Sequence, residues 1–163
     1  MEILVVRHGL AGDKADWVKT GRRDSERPLT PEGRRKPHEA AKGLKTLTEV
    51  QVVATSPWTR AKQTAVLLSR ELDVPVTPCP ALVPSRPFEE LAAWLAGRKE
   101  SKVALVGHEP HLSGFVSWLL TGDPRPVLSL KKAQACLLEL TEPAPGKATL
   151  LWSIPPKVLR KST

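Results

Sequence analysis

The chain has 163 residues, 40% of them hydrophobic and 26% charged, which suits one soluble domain able to bury its own core without staples. Its two cysteines, Cys79 and Cys136, lack CxxC spacing, which argues against a disulfide framework or a cysteine-rich zinc site and for a reducing cytoplasm. A net charge of +8 favours anionic partners, but 4% aromatics and no Tyr leave out the interleaved basic and aromatic pattern of a nucleic-acid binder.

Residues 2–6 are a short β-rich apolar run that stops at Gly9 and reads as a buried strand. The run is too short for a signal peptide, and no stretch approaches 18 apolar residues, so no membrane span is expected. Residues 10–29 are charged, carry Gly12, Gly21 and Pro28, and read as loop. Thr30 then serves as N-cap with Pro31 at the first helical position, predicting a helix to about Leu47, with Pro37 a flaw that divides it.

Residues 50–54 predict a second strand, and Thr55-Ser56-Pro57 opens a helix of good apolar period through Ala61, Ala65, Leu68 and Leu72. The proline-rich residues 73–87 are irregular, with a short strand near Val76. A helix over 88–96 ends at Gly97, a strand follows over 102–107, and another helix runs from Pro110 to Leu120. Residues 134–140 and 148–154 read as two late strands joined by a Pro/Gly turn. The alternation predicts a compact three-layer α/β/α domain over residues 1–155 with a mostly parallel sheet, and a frayed basic tail over 156–163.

Three predicted strands end in polar residues: Arg7-His8-Gly9, Thr55-Ser56-Pro57 and Gly107-His108-Glu109. Ligands of open α/β sheets bind beyond the carboxyl ends of the strands, so these segments converge on one pocket. Arg7, and Arg60 one turn into the following helix, suit bidentate phosphate contact. A neutral imidazole can attack phosphorus and split the transfer into two steps. The second histidine and the guanidinium groups would stabilise charge on the equatorial oxygens.

These residues carry a resemblance. Leu4-Val5-Val6-Arg7-His8-Gly9, Arg27-Pro28-Leu29-Thr30 followed by Gly33, Ser56-Pro57-Trp58-Thr59-Arg60-Ala61-Lys62-Gln63-Thr64-Ala65, and Val106-Gly107-His108-Glu109-Pro110-His111-Leu112 resemble the histidine phosphatase, or phosphoglycerate-mutase-like, superfamily. The pieces come in the family order and span residues 2 to about 120. The short chain leaves little room for cap insertions and is similar to the compact SixA-type phosphohistidine phosphatases. The resemblance implies His8 as the phosphorylated nucleophile, Arg7 and Arg60 as phosphate ligands, His108 as the residue completing the pocket, and Arg27 as a weaker phosphate or loop-bracing residue. It implies no metal and no organic cofactor.

Many superfamily members supply a carboxylate acid from the region after the second helix. Here that region offers Glu89 and Glu90 without a motif match, and Asp13 is the next candidate. An imidazole leaves with little acid help, so a missing acid suits phosphohistidine and is costly for an alkyl phosphate. The expected activity is therefore dephosphorylation of phosphohistidine on a protein partner such as a phosphotransfer domain. The competing readings are a phosphatase of small phosphate monoesters or nucleotides and a non-catalytic phosphoprotein-binding module. His108 and His111 have i,i+3 spacing but no apparent third ligand, so a metal is not expected. Trp58, Trp94, Trp118 and Trp152 read as packing residues, and Trp17 as a candidate for the pocket rim.

Overall fold

The computed structural model describes residues 1–161. Its six strands are β1 (Glu2–Arg7), β2 (Val52–Thr55), β3 (Val76–Pro78), β4 (Lys102–Gly107), β5 (Ala135–Leu140) and β6 (Ala148–Ile154). The six α-helices are α1 (Lys14–Val18), α2 (Pro31–Leu47), α3 (Thr59–Leu72), α4 (Phe88–Ala96), α5 (His111–Thr121) and α6 (Pro156–Arg160). The sheet order is β3-β2-β4-β1-β5-β6. The first four of these are parallel, and β5 and β6 add antiparallel at the β1 edge, so the sheet is mixed.

Period-2 alternation in β1 explains the layers. Ile3 and Val5 join Leu91, Leu95, Phe115 and Leu119 of α4 and α5 on one face. Leu4 and Val6 join Ala40, Leu44, Ala61, Leu68 and Leu159 of α2, α3 and α6 on the other. With helices on both faces, the inner residues of the central strands are buried and read as apolar runs in the sequence.

The helix ends follow local chemistry. Thr30 Oγ1 accepts from the Gly33 N–H at 2.9 Å, and Pro31 sits where its missing donor costs nothing. The predicted break at Pro37 does not occur, and α2 runs through it without division. The Gly33 carbonyl, which loses its i+4 donor there, lies close against Gly9. α3 begins at Thr59, later than expected, because Ser56 is taken up in the turn, where its Oγ accepts from the Trp58 N–H at 3.2 Å. The segment 10–29 is less irregular than expected: it holds α1 and a 3₁₀ turn at Asp24–Glu26, neither with a buried residue.

The C-terminal segment also differs from the expected loose tail. Residues 156–160 form α6, with Leu159 fully buried and its carbonyl against Gly43 of α2. Arg160 reaches Glu39 at 3.7 Å. Burying a leucine is worth about 2 kcal/mol, enough to hold one helical turn onto the domain. Residues 162 and 163 of the expected tail lie outside the described residues.

Candidate active site

β1 and β4 are hydrogen-bonded neighbours in register, with Arg7 beside Gly107, and Thr55 of β2 lies beside Val106. The three strands therefore end at one height, and the chain continues from each into the site. The His8 N–H donates to the Gly107 carbonyl at 3.0 Å, and the Ser56 N–H to the Val106 carbonyl at 3.0 Å. Gly9 fixes where His8 sits, because the chain passes α2 so closely that a Cβ there would lie 2.3 Å from the Gly33 carbonyl oxygen. The Gly9 N–H donates to Thr64 Oγ1 of α3 at 3.1 Å, and Thr64 donates in turn to the Arg60 carbonyl at 2.9 Å.

The result is a pocket of about 390 Å³ lined by Arg7, His8, Arg27, Arg60 and His108, with Trp58 and Pro84 on its wall. The His8 and His108 ring centroids are 5.1 Å apart. His8 Nδ1 lies 2.6 Å from the Gly9 carbonyl oxygen, which can only accept, so Nδ1 carries the proton and Nε2 keeps its lone pair. Arg60 Nε donates to that Nε2 at 3.3 Å. Burial pushes the His8 pKa down to about 4; the Gly9 hydrogen bond opposes this, and the charges of Arg60, Arg7 and Arg27 reinforce it. His8 is therefore neutral at pH 7, as a nitrogen nucleophile must be.

His108 is pushed further, to about 2, first by burial and then by His8 and Arg60. Its Nε2 pairs with Ser56 Oγ at 2.8 Å. Among the described residues, His108 Nδ1 and Arg7 Nε are buried without a hydrogen-bond partner. Both side chains line the pocket, and unsatisfied buried polar atoms at a basic site are what a bound oxyanion relieves. Arg7 is anchored by its Nη1 donating to the Leu130 carbonyl at 2.9 Å.

The structure does not bring the three expected acids to the pocket. Glu89 and Glu90 are exposed at the start of α4, with Glu90 held by Arg86 at 2.9 Å. Asp13 is the exposed N-cap of α1 and accepts from the Asp16 N–H. The carboxylates that do line the pocket are Asp24 and Glu109, which sequence reasoning missed.

Asp24 ties two arginines together. Its Oδ1 accepts from Arg27 Nε at 2.9 Å, its Oδ2 from Arg60 Nη2 at 3.2 Å, and its carbonyl from Arg60 Nη1 at 2.8 Å. Burial works to raise the Asp24 carboxyl, but the Arg27 hydrogen bond and the charges of Arg60 and Arg27 outweigh it and hold the group below its ordinary value. Arg27 also donates to the Gly12 carbonyl at 2.6 Å, so it both faces the pocket and braces the loop. Glu109 accepts from three other donors: the Ser113 N–H at 2.8 Å, the Ser113 hydroxyl, and the Leu130 N–H at 3.2 Å.

Trp58 also departs from expectation. It lines the pocket, with its ring 5.0 Å from His108 and the Arg60 guanidinium carbon 4.9 Å above its centroid. Trp17 is not part of the lining; its Nε1 donates to the Arg23 carbonyl. His111 turns away to pair with the Arg86 carbonyl at 2.8 Å. Among the described residues no three His, Cys, Asp or Glu side chains are grouped to hold a metal ion. The positive charge facing the pocket comes from Arg7, Arg27, Arg60, Lys14 and Lys132.

Comparison with known proteins gives a consistent picture. The family model for the histidine phosphatase superfamily (branch 1) matches residues 3–83. An uncharacterized protein of Picosynechococcus sp. is 34% identical over 138 residues, covering 82% of this chain and 81% of its own. The structure of the protein histidine phosphatase SixA complexed with tungstate superposes with a TM-score of 0.80 at 28% identity, covering 98% of this chain and 99% of that one. A protein given the name SixA from Nakamurella multipartitia superposes with a TM-score of 0.76 at 26% identity, covering 94% of each chain.

Proposed function

The chain belongs to the histidine phosphatase superfamily, which supports phosphatase activity, and on that premise we propose that it removes the phosphoryl group from phosphohistidine on a protein by way of phospho-His8. In this reading His8 Nε2 attacks phosphorus, the bond from phosphorus to the substrate imidazole nitrogen breaks, and that ring departs neutral because its far nitrogen already carries a proton. Water then attacks phospho-His8, and inorganic phosphate leaves. Arg7, Arg60 and His108 hold the equatorial oxygens, and Arg27 acts mainly by fixing Asp24.

The observation that carries the reading is the state of the carboxylates. A phosphate ester needs a proton delivered to its leaving oxygen. Here Asp24 is held ionised by two arginines and so is not poised as an acid, and Glu109 is tied to the protein's own donors on Ser113 and Leu130. The pocket volume does suit a small molecule, which favours small phosphate monoesters as the second reading. A pure phosphoprotein-binding module would have no use for a neutral histidine whose Nε2 is left unprotonated. A cytoplasmic setting is consistent with Cys79 and Cys136 being buried and unbridged.

The test is turnover of a phosphohistidine-bearing histidine phosphotransfer domain against an alkyl phosphate such as glycerol 3-phosphate. The reading expects kcat/KM at least about 100-fold higher for the domain, the worth of an acid the ester needs and phosphohistidine does not. Equal or reversed preference would favour the monoester reading.

A further inference from the structure

Beside the catalytic pocket runs a second groove of about 300 Å³, and Lys132 lines both. Its walls are Gly9 and Leu10 after β1, the turn at 131–133, and the start of α6. It carries Lys36, Lys131, Lys132, Lys157 and Arg160, and no acidic residue among the described residues lines it. Two of the five cations have distant partners: Lys36 lies 3.7 Å from Glu32, and Arg160 3.7 Å from Glu39. Lys131, Lys132 and Lys157 are exposed and have no ion-pair partner among the described residues.

The groove is built on rigid supports. The Ala133 N–H donates to the carbonyls of both Arg7 and His8, at 3.1 and 3.2 Å, and Gln134 Oε1 accepts from the Lys131 N–H at 2.9 Å. Leu159 pins α6 to the core. The basic surface is thus tied through the backbone to the nucleophile's own strand. The pocket's other neighbour differs: past Pro84 it leads to a proline-rich cleft with Phe88 and no Lys or Arg. Of these two grooves one is basic and the other carries no Lys or Arg, so a partner reading the charge would be oriented as well as attracted.

We infer that this groove docks an acidic polypeptide segment flanking the phosphorylated side chain of the substrate protein; the inference rests on the phosphohistidine-protein reading above. A solvated basic face serving solubility alone would not need to adjoin the nucleophile, and a groove without aromatic lining has nothing on which nucleobases stack.

The test compares wild type with the double variant Lys131→Glu/Lys157→Glu, neither position being in the catalytic pocket. The substrates are free phosphohistidine and a phosphorylated histidine phosphotransfer domain with an acidic face. The expected result is a roughly tenfold lower kcat/KM on the domain, carried by KM, with a shallower salt dependence and unchanged kcat/KM on free phosphohistidine. Lys131→Gln/Lys157→Gln should fall between. Unchanged kcat/KM on the domain overturns the groove while leaving the proposed function standing. An equal loss on both substrates also overturns it, because the change then acts on the pocket. Wild type inactive on both phosphohistidine substrates but active on p-nitrophenyl phosphate overturns the proposed function and the groove with it.

Discussion

At the residue scale, the site depends on which group is neutral and which is charged. His8 is uncharged because it is buried among arginines, and its proton is fixed on Nδ1 by the Gly9 carbonyl. Asp24 is charged because two arginines share it. That makes Asp24 a positioning residue in our account: it holds Arg60 from the side away from His8. Asp24→Asn should lower kcat/KM by about 10- to 100-fold on phosphohistidine and glycerol 3-phosphate alike, the scale of one misplaced guanidinium. Steady-state kinetics on both substrates check this. A loss confined to the ester would show Asp24 acting as the acid. His8, His108 and Arg7 were legible in the sequence because each sits at or just past the carboxyl end of a strand, and Arg60 because it lies at the start of the helix that follows one. Asp24 and Glu109 were not. Asp24 reaches the site only because a 3₁₀ turn in a loop without apolar period folds over it, and its one sequence signal was Arg27 three residues on. Glu109 followed His108 directly, but its role depends on Ser113 and Leu130, which spacing does not reveal.

At the element scale, the nucleophile is placed by a crossing of backbones. The chain after β1 passes α2 at Gly9 and Gly33, and a Cβ on Gly33 would lie 1.8 Å from the Leu10 carbonyl oxygen. Backbone cannot yield as a flexible side chain can, so Gly33→Ala should cost about 3 kcal/mol and lower the Tm by roughly 6–12 °C. Thermal unfolding measures it, and a Tm within a degree of wild type would mean that the crossing is looser than described. Helices with clear apolar stripes, such as α3, were legible from periodicity. α1 was not, because its five residues bury none of their number. α6 was hidden by the prolines and lysines in and beside it; its docking depends on Gly43, far away in sequence, leaving room for Leu159. The two late strands were legible as strands, but their antiparallel placement beside β1 is a matter of topology that local pattern does not carry.

At the scale of the whole molecule, the same burial that prepares the site makes stability depend on pH. His8 and His108 are nearly inaccessible, and both have pKa values far below the ordinary 6.5. Above pH 6.5 these histidines are neutral in native and unfolded chains, and their contribution is constant. Below it the unfolded chain binds protons that the native state refuses, so stability falls with pH through the window from 6.5 to about 4. The loss should approach 1.4 kcal/mol per pH unit for each histidine. Denaturant unfolding between pH 7 and 4.5 checks the slope; a flat profile would mean that the pair titrates as in the unfolded chain, and stability rising toward low pH that it is already charged in the native state.

The most direct test of the account is to trap the intermediate. Wild type and His8→Ala are mixed with a phosphohistidine-bearing phosphotransfer domain, quenched in alkali within one turnover, and separated by mass. The account predicts alkali-stable, acid-labile phosphate on wild type, mapped to His8 and absent from His8→Ala, whose turnover falls by more than about 10³-fold. Phosphate found on another residue, or full turnover by His8→Ala, would contradict it.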